Sequence, residues 1–275
     1  MPTYRASQSG VALRALFEGL KLVSGLRVAG KKQLKEQKKE WRKKQRARFK
    51  QKAAELRSNY YLSGAHKKVD IRELDGFGAI ASQVIADRMT KMNYDRLYTL
   101  WQAARMSPDH MPIVEVGVYR GGSAKFVAES LRCASRTPHF YLCDTFTGRP
   151  RIDPEIDTTH RDRLKFQDTS LQSVTDYLAN YTNVEFVVGD IFETSRLLPQ
   201  GPYGFVHIDV DVLPATDFCL RFFAPRLSRG AAIVVDDYGV ATCPGVKKAV
   251  DSFIADSPDF KRFHLLTGQA LPFRT

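Results

Sequence analysis

Two apolar runs of the sequence end in aspartates. "FVHIDVD" carries Asp209 and Asp211, and "AAIVVDDYG" carries Asp236 and Asp237. If the two runs are neighbouring parallel strands, Asp209, Asp236 and Asp237 meet at one edge of a sheet. Three carboxylates that close do not all stay ionised without a cation. A hard divalent ion such as Mg²⁺ prefers oxygen ligands, so these three residues are the candidate metal ligands.

Asp211 is the candidate catalytic residue. Side chains alternate along a strand, so an extended strand points Asp211 to the same side as Asp209, with ~6.6 Å between their Cα atoms. That separation favours Asp209 as a metal ligand and Asp211 as a general base that faces a hydroxyl group. A metal ion makes a bound hydroxyl more acidic, as it does water. The four aspartates together predict the deprotonation of an alcohol beside a metal ion.

A glycine turn follows an earlier apolar run, in the order E-x-G-x-x-x-G-G-S. Glycine lets the backbone turn tightly and approach a ligand closely. Asp144 lies 22 residues after Gly122, about the spacing at which an acid accepts hydrogen bonds from ribose hydroxyls. No arginine cluster for a phosphate accompanies it, which favours S-adenosylmethionine as the ligand. The candidate cofactor-binding residues of this region are Glu115, Gly117, Gly121, Gly122, Ser123 and Asp144.

The elements that must position these residues are five short apolar strands that alternate with helical stretches. They are "IVEVGV", "HFYLCDTF", "VEFVVGD", "YGFVHIDVD" and "AAIVVDDYG". Continuous apolar strands separated by helices predict a parallel sheet covered on both faces. The tail predicts two further strands around Gly268. The predicted fold class is α/β, with a Rossmann-like, mostly parallel and doubly wound sheet. The polar segment 147–168 is long for a connection and predicts a mobile substrate lid.

Several of these segments also resemble a known family. "VEVGVYRGGSA", "DTFTGRP", "NVEFVVGDIFETS", "FVHIDVD" and "VVDDYGVATCPGVKKAVDSF" occur in the family's order, over roughly Arg96 to Phe253. The chain resembles the macrocin, mycinose-pathway and novobiocin sugar O-methyltransferases. These are Mg²⁺-dependent class I methyltransferases that use S-adenosylmethionine. Residues 1–60 have no recognisable counterpart there.

The resemblance implies roles for individual residues. It assigns the metal to Asp209, Asp236 and Asp237, and the general base to Asp211. It implies that the methionine and ribose parts of the cofactor are held by Glu115, Gly117, Gly121 and Asp144. Asp190, in "VGD", is expected beside the adenine.

The formal net charge of +12 belongs to the N-terminal segment. Residues 1–60 contain 17 Lys and Arg against 4 Asp and Glu, whereas residues 61–275 contain 25 against 26. The spacing of Leu13, Leu16 and Leu20 predicts a helix from Gly10 to about Ser58. Three interpretations stay open: a solvated basic helix, a helix on an anionic membrane surface, or a nucleic-acid-binding segment. Nucleic acid is the least expected partner, because few aromatic residues accompany the charge.

The cysteines and the apolar runs indicate where the protein is located. The four cysteines form no C-x-x-C pair, which excludes a disulfide framework and suits a reducing cytosol. No run of 18 apolar residues occurs, so no membrane-spanning helix is predicted. Arg14, Glu18 and Lys21 interrupt the one stretch of signal-peptide length. The expected location is the cytoplasm, with peripheral contact at the inner membrane face if the basic segment binds lipid.

Three domains are predicted: a basic helical extension (1–60), a helical cap or linker (61–110) and an S-adenosylmethionine-binding methyltransferase domain (111–275). The predicted function is O-methylation of a sugar or glycosylated acceptor, and a homo-oligomer is compatible with it. One alternative is a nucleic-acid methyltransferase recruited by the basic segment, although such enzymes normally use a lysine-centred site. The other is a non-catalytic binding protein on a methyltransferase scaffold, although the four aspartates and the glycine turn are all retained.

Of three further polar residues, two are expected to be structural and one is a candidate for proton transfer. His207 is expected to be a packed core histidine, because it lies in a strand. Cys243, in "TCPG", is expected to be structural. His160, in the polar segment, is a second candidate proton acceptor.

Overall fold

The computed structural model describes residues 39–41, 43–44, 70–160 and 166–275. The chain divides into two compact units, Met1–Lys68 and Val69–Thr275. In the first unit, the described residues are helical, in line with the helix predicted from Gly10 to about Ser58. The rest of that predicted helix lies outside the described residues. The three domains expected from the sequence stay a prediction.

The second unit contains seven strands: β1 (Ile113–Val116), β2 (Phe140–Asp144), β3 (Val184–Val188), β4 (Tyr203–Ile208), β5 (Leu227–Val235), β6 (Phe260–His264) and β7 (Ala270–Arg274). They form one sheet in the order β3-β2-β1-β4-β5-β7-β6. Strands β1 to β5 are parallel, and β7 runs antiparallel to both β5 and β6. The five predicted strands are present, and the last two flank Gly268 as predicted.

The described α-helices of this unit are α1 (Gly78–Ala86), α2 (Tyr94–Met106), α3 (Gly122–Arg132), α4 (Leu171–Tyr177), α5 (Ile191–Thr194), α6 (Leu213–Phe223) and α7 (Pro244–Asp256). Helix α2 begins where Asn93 caps it, with the Asn93 side chain accepting a hydrogen bond from the Arg96 N–H at 3.1 Å. None of the helices described combines the length with the apolar content that crossing a bilayer requires.

Each face of the sheet has its own hydrophobic core. One core joins the sheet to α1, α2 and α3 and includes Leu97 and Phe126. The other joins it to α6 and α7 and includes Phe223. Neighbouring residues of β4 contribute to opposite cores, Phe205 to the first and Val206 to the second. The doubly wound α/β prediction is confirmed, because helices pack against both faces of the sheet.

The register of the parallel strands aligns their carboxyl ends. Val116 of β1 pairs with Cys143 of β2 and with Ile208 of β4, and Ile208 pairs with Val235 of β5. The residues that follow these four in the chain therefore meet at one edge of the sheet. Ligands bind at this edge in open α/β sheets.

Candidate active site

A cleft lies at the carboxyl edge of the sheet. Its volume is about 1220 Å³ when the space open to solvent is included. The predicted site residues that line it are Gly117, Ser123, Asp144, Asp190, Asp209, Asp211 and Asp237. The predicted residues that are buried outside this lining are Glu115, Gly121, Gly122 and Asp236.

The glycine turn between β1 and α3 is set by close backbone contacts. Gly117 has φ +91°, and a Cβ atom there would lie 1.9 Å from the carbonyl oxygen of Asp209. Gly121 has φ +81° and is the N-cap residue of α3. Gly122 packs on Met89, whose carbonyl oxygen would lie 2.6 Å from an added Cβ. The turn therefore lies directly against the residue that follows β4, and the two sets of candidate residues share one cleft.

The Glu115 side chain points into the protein interior and contacts other side chains there. Its side chain is fully buried, and its Oε1 accepts a hydrogen bond from the hydroxyl of Ser123. His207 Nδ1 lies 3.2 Å from the same oxygen. Glu115 Oε2 finds no hydrogen-bond partner among the described residues, and the role of Glu115 in holding a cofactor stays a prediction.

Asp144, at the end of β2, holds the glycine turn. Its Oδ2 accepts hydrogen bonds from the N–H groups of Val118 and Tyr119, at 2.7 and 2.8 Å. Its Oδ1 accepts one from the N–H of Phe146, at 2.8 Å. A carboxylate oxygen has two acceptor positions, so Oδ1 keeps one of them for a ligand in the cleft.

Asp190 follows β3 and caps α5. Its Oδ1 accepts a hydrogen bond from the N–H of Phe192 at 3.2 Å. Its Oδ2 pairs with Arg151 Nε at 2.7 Å, and the Arg151 guanidinium lies 4.3 Å from the centre of the Phe192 ring. This cap and ion pair form the wall of the cleft beside β3.

The three residues Asp209, Asp236 and Asp237 form what we call the acid cluster, and they are not equivalent. Ligand atoms of Asp209, Asp211 and Asp237 lie within 4.8 Å of one another, and so do those of His207, Asp209 and Asp236. Asp209 thus belongs to both groups. Asp237 lines the cleft, whereas Asp236 lies deeper, beside His207.

The position of Asp211 differs from the one expected for an extended strand. Strand β4 ends at Ile208, and Asp211 has a left-handed backbone with φ +65°. The turn brings its carboxylate into the group with Asp209 and Asp237. Its Oδ2 also accepts a hydrogen bond from Arg149 Nη1 at 3.2 Å. The extended-strand distance expected between Asp209 and Asp211 therefore does not apply, because strand β4 ends before Asp209.

The acid cluster is short of positive charge. Burial and the neighbouring charges of Asp236 and Asp237 raise the pKa of Asp209 well above its usual range. Burial alone would lower the pKa of His207, but Asp236 and Glu115 raise it to about 10. His207 is buried, as a core histidine should be, yet it lies between two carboxylates, 3.2 Å from Glu115 and 3.9 Å from Asp236.

Arg96 is a site residue that the sequence did not indicate, as is Arg149 beside Asp211. Arg96 Nε donates to Asp236 Oδ1 at 2.8 Å, and its Nη2 donates to Asp237 Oδ1 at 2.7 Å. Burial opposes its charge, but Asp236, Asp209 and Asp237 raise the pKa of Arg96 further above its usual range. Arg96 is separated from its two partners by 140 and 141 residues, so no local pattern marks it.

The residues present fit a divalent cation. Among the described residues, buried Asp236 Oδ2 finds no hydrogen-bond partner. Glu115 and the acid cluster supply four carboxylates, and Arg96 and His207 supply two positive charges. With all four carboxylates ionised, two negative charges remain, which one divalent ion would balance. A donor set made of carboxylate oxygens suits Mg²⁺ or Mn²⁺.

The described part of the polar segment 147–168 packs beside Asp211. Buried His160 accepts a hydrogen bond from Arg149 through Nδ1, and its Nε2 lies 3.3 Å from Cys243 Sγ. Asp157, also buried, accepts a hydrogen bond from the first N–H of α6 at 3.2 Å. His160 therefore supports Arg149 in this arrangement, and the role of the segment as a lid stays a prediction.

The chain matches a family model over most of its length. The model of the macrocin O-methyltransferase (TylF) family covers residues 27–258. The match begins inside residues 1–60, for which no counterpart was expected. That expectation was wrong for residues 27–60.

Two curated relatives and one solved structure are similar to the chain. The 8-demethyl-8-(2,3-dimethoxy-alpha-L-rhamnosyl)-tetracenomycin-C 4'-O-methyltransferase of Streptomyces olivaceus is 25% identical over 191 residues, which are 66% of this chain and 66% of the relative. The mycinamicin III 3''-O-methyltransferase of Micromonospora griseorubida is 28% identical over 143 residues, 48% of this chain and 56% of the relative. The structure of the O-methyltransferase NovP has a TM-score of 0.60 and 23% identity, and covers 68% of this chain and 81% of that one.

The match to these two curated relatives thus spans two thirds of their length or less, and the likeness to NovP shows the fold. The family model, by contrast, spans residues 27–258 of the 275. The chain belongs to the macrocin O-methyltransferase (TylF) family.

Proposed function

We propose that the protein transfers a methyl group from S-adenosylmethionine to a hydroxyl group of a sugar or glycosylated acceptor. The observation that carries this proposal is the shared cleft. Residues of the glycine turn and Asp144 line it, and so do Asp209 and Asp237 of the acid cluster together with Asp211. Family membership supports the reaction type. The name of the tetracenomycin relative, which specifies a rhamnosyl group, supports the acceptor class.

The end of the cleft at Gly117, Asp144 and Asp190, which we call the cofactor end, binds S-adenosylmethionine in this proposal. The cofactor supplies an electrophilic methyl group on its sulfonium. The free acceptor position of Asp144 Oδ1 receives a ribose hydroxyl. Gly117 lets the methionine part approach the backbone closely, and the wall at Asp190 borders the adenine.

The acid cluster holds a divalent ion, with Mg²⁺ as the expected one. When bound, the ion supplies positive charge that makes a nearby acceptor hydroxyl more acidic. Asp211 accepts the hydroxyl proton, and Arg149 holds the Asp211 carboxylate through the 3.2 Å hydrogen bond. The remaining task of the chain is to align the acceptor oxygen with the methyl group, which is catalysis by positioning.

We also propose that residues 1–60 contact an anionic membrane surface from the cytoplasmic side. The support is their balance of 17 basic against 4 acidic residues. Each Lys or Arg near such a surface contributes about 1 kcal/mol of attraction.

Incubation of the full chain with S-adenosylmethionine, MgCl₂ and defined acceptors tests the reaction. Mycinamicin III and a methyl rhamnoside represent sugars, and catechol represents a vicinal diol outside a sugar. We expect S-adenosylhomocysteine and a methylated sugar by mass spectrometry, and no methylated catechol.

The possible failures are separable. A chain that does not bind S-adenosylmethionine in a calorimetric titration contradicts the cofactor. Methylation of catechol alone contradicts the acceptor class. Full turnover in excess EDTA, with metal-free protein verified, contradicts the metal.

A further inference from the structure

One guanidinium group binds two members of the acid cluster. Arg96 Nη2 lies 2.6 Å from Asp236 Oδ1 and 2.7 Å from Asp237 Oδ1, and Nε adds a hydrogen bond to Asp236 Oδ1 at 2.8 Å. Both contacts are to Oδ1, so one oxygen of each carboxylate is occupied by the same side chain. The other oxygen of each carboxylate is outside these contacts.

Arg96 is held in place on both sides of its Cα atom. Its N–H donates to the capping side chain of Asn93 at 3.1 Å, and its carbonyl accepts a hydrogen bond from Gln269 Nε2 at 3.4 Å. Gln269 is fully buried. The Arg96 side chain is only 20% exposed, and the Asp236 side chain not at all. The guanidinium is therefore a fixed part of the wall of the cleft.

The fixed guanidinium limits how the two carboxylates can bind a metal ion. Asp236 Oδ1 already accepts from both Nη2 and Nε of Arg96, so a metal ion bound through both oxygens of Asp236 would displace one of these contacts. A metal ion bound through both oxygens of Asp237 would lie on the oxygen that Arg96 Nη2 also contacts, directly beside the positive guanidinium. Ca²⁺ takes roughly 6–8 oxygen ligands and often binds a carboxylate through both oxygens, whereas Mg²⁺ demands a compact octahedron. An acid cluster restricted to one oxygen per carboxylate suits the smaller ion.

We propose that Arg96 is a positioning residue that restricts Asp236 and Asp237 to one metal-facing oxygen each and so favours Mg²⁺ and Mn²⁺ over Ca²⁺. The inference rests on the metal site of the proposed function. In this inference Arg96 selects between metal ions through its geometry, which is a different role from supplying positive charge. Replacement by lysine keeps the charge and removes the planar pair of donors, so it separates the two roles.

The test measures metal binding without any methyl acceptor. Full-length wild type, Arg96→Lys and Arg96→Gln are titrated calorimetrically with MnCl₂, MgCl₂ and CaCl₂, and circular dichroism verifies folding. Arg221→Lys is the matched control, because Arg221 also joins two carboxylates, Asp217 at 3.0 Å and Asp256 at 2.8 Å, on the exposed surface.

We expect wild type and Arg221→Lys to prefer Mn²⁺ and Mg²⁺ to Ca²⁺. Arg96→Lys should lower the Mn²⁺ to Ca²⁺ affinity ratio by roughly tenfold, at the low end of what residues supporting a metal site control. Arg96→Gln should lower the ratio as well, with weaker Mn²⁺ binding.

Two results overturn the role of Arg96 alone: an unchanged ratio in both Arg96 variants, or tighter binding of all three ions by Arg96→Gln. The second would mean that the guanidinium competes with the metal. Wild-type protein that binds none of the ions overturns both this inference and the metal part of the proposed function. Its S-adenosylmethionine binding would still report on the rest of that function.

Discussion

At the cofactor end of the cleft, three backbone N–H groups donate to Asp144 at 2.7 to 2.8 Å. In the acid cluster, Asp236 has one oxygen on Arg96, and its other oxygen finds no hydrogen-bond partner among the described residues. Both aspartates lie at the carboxyl end of a parallel strand. A carboxylate that accepts hydrogen bonds from several backbone N–H groups holds a loop in place and needs no cation. Carboxylates that lie close together without such donors need a cation to balance their charge.

The reason for the difference is the cost of burying charge. An ionised group removed from water is tolerated only when donors or opposite charges replace its hydration. The turn after β1 supplies donors to Asp144, because its N–H groups point at the end of β2. Among the described residues, no comparable set of backbone donors meets the Asp209 side chain, whose nearest charged neighbours include Asp236 and Asp237. The predictions below test this contrast.

The largest effect is expected from Asp211→Asn, which removes the proton acceptor and keeps its shape. The rate of methyl transfer should fall by roughly 10²–10⁴-fold, with little change in the affinity for S-adenosylmethionine or Mn²⁺. Steady-state kinetics over a range of MgCl₂ concentrations measures it. Because Asp211 lies within 4.8 Å of ligand atoms of Asp209 and Asp237, recovery of full rate at high MgCl₂ would make it a ligand.

Asp209→Asn should weaken Mn²⁺ binding by about 100-fold, the upper range for residues that support a metal site. The stability of the metal-free protein should stay the same or rise, because the raised pKa of Asp209 already favours its neutral form. Calorimetry and thermal unfolding in EDTA measure the two quantities. Asp144→Asn is the comparison, and it should lower thermal stability by weakening the turn. Equal losses of stability in both variants would erase the contrast between the two ends.

Asp144→Ala should weaken S-adenosylmethionine binding by about 1.5–3 kcal/mol, the range for hydrogen bonds to a charged group. It should leave Mn²⁺ affinity unchanged and speed amide hydrogen exchange at Val118 and Tyr119, whose N–H groups it releases. Calorimetric titration and exchange measurements test both ends of the cleft in one variant. An unchanged dissociation constant would mean that the ribose is held elsewhere.

The stability of the metal-free protein should fall as the pH rises. Neighbouring carboxylates raise the pKa of His207 to about 10, above the roughly 6.5 of an unfolded histidine. Its stabilising charge is therefore fully present below about pH 6.5 and is lost as the pH approaches 10. We expect the melting temperature in EDTA to drop by several degrees across this range. His139→Asn, which removes an exposed histidine paired with Glu185, should keep the drop, and His207→Asn should lose it.

The smallest effect on the cleft is expected from removal of residues 1–68. A chain that begins at Val69, where the second compact unit begins, should bind S-adenosylmethionine and Mn²⁺ as the full chain does. It should lose sedimentation with acidic liposomes, which for the full chain should weaken with salt, since exposed charges are screened beyond about 8 Å at physiological ionic strength. A folded but inactive truncated chain would assign part of the chemistry to this segment, consistent with a family match that begins at residue 27.

Much of the fold was predictable because buried segments have apolar side chains that can be recognised in the local sequence. Strand β4 is buried at all of its positions, Tyr203–Ile208, so its sequence is apolar at nearly every position, with His207 the polar exception, and indicates a central parallel strand. The ends of strands were less predictable: the sequence shows no break between Ile208 and Asp211, although the strand stops there. Because of the turn at Asp211, the spacing of Asp209 and Asp211 does not by itself separate a metal ligand from a base, and their roles stay a prediction.

The sequence by itself determined a doubly wound α/β sheet, a glycine turn after β1 and a row of acids along one edge, since each depends on residues that are neighbours in the chain. Only the tertiary structure decided that three backbone N–H groups donate to Asp144, that Asp211 turns toward Asp209, and that Arg96 binds Asp236. Arg96 and Asp236 are 140 residues apart, and their contact depends on how α2 packs against the sheet. Packing of that kind follows from the whole core, and no short stretch of sequence records it.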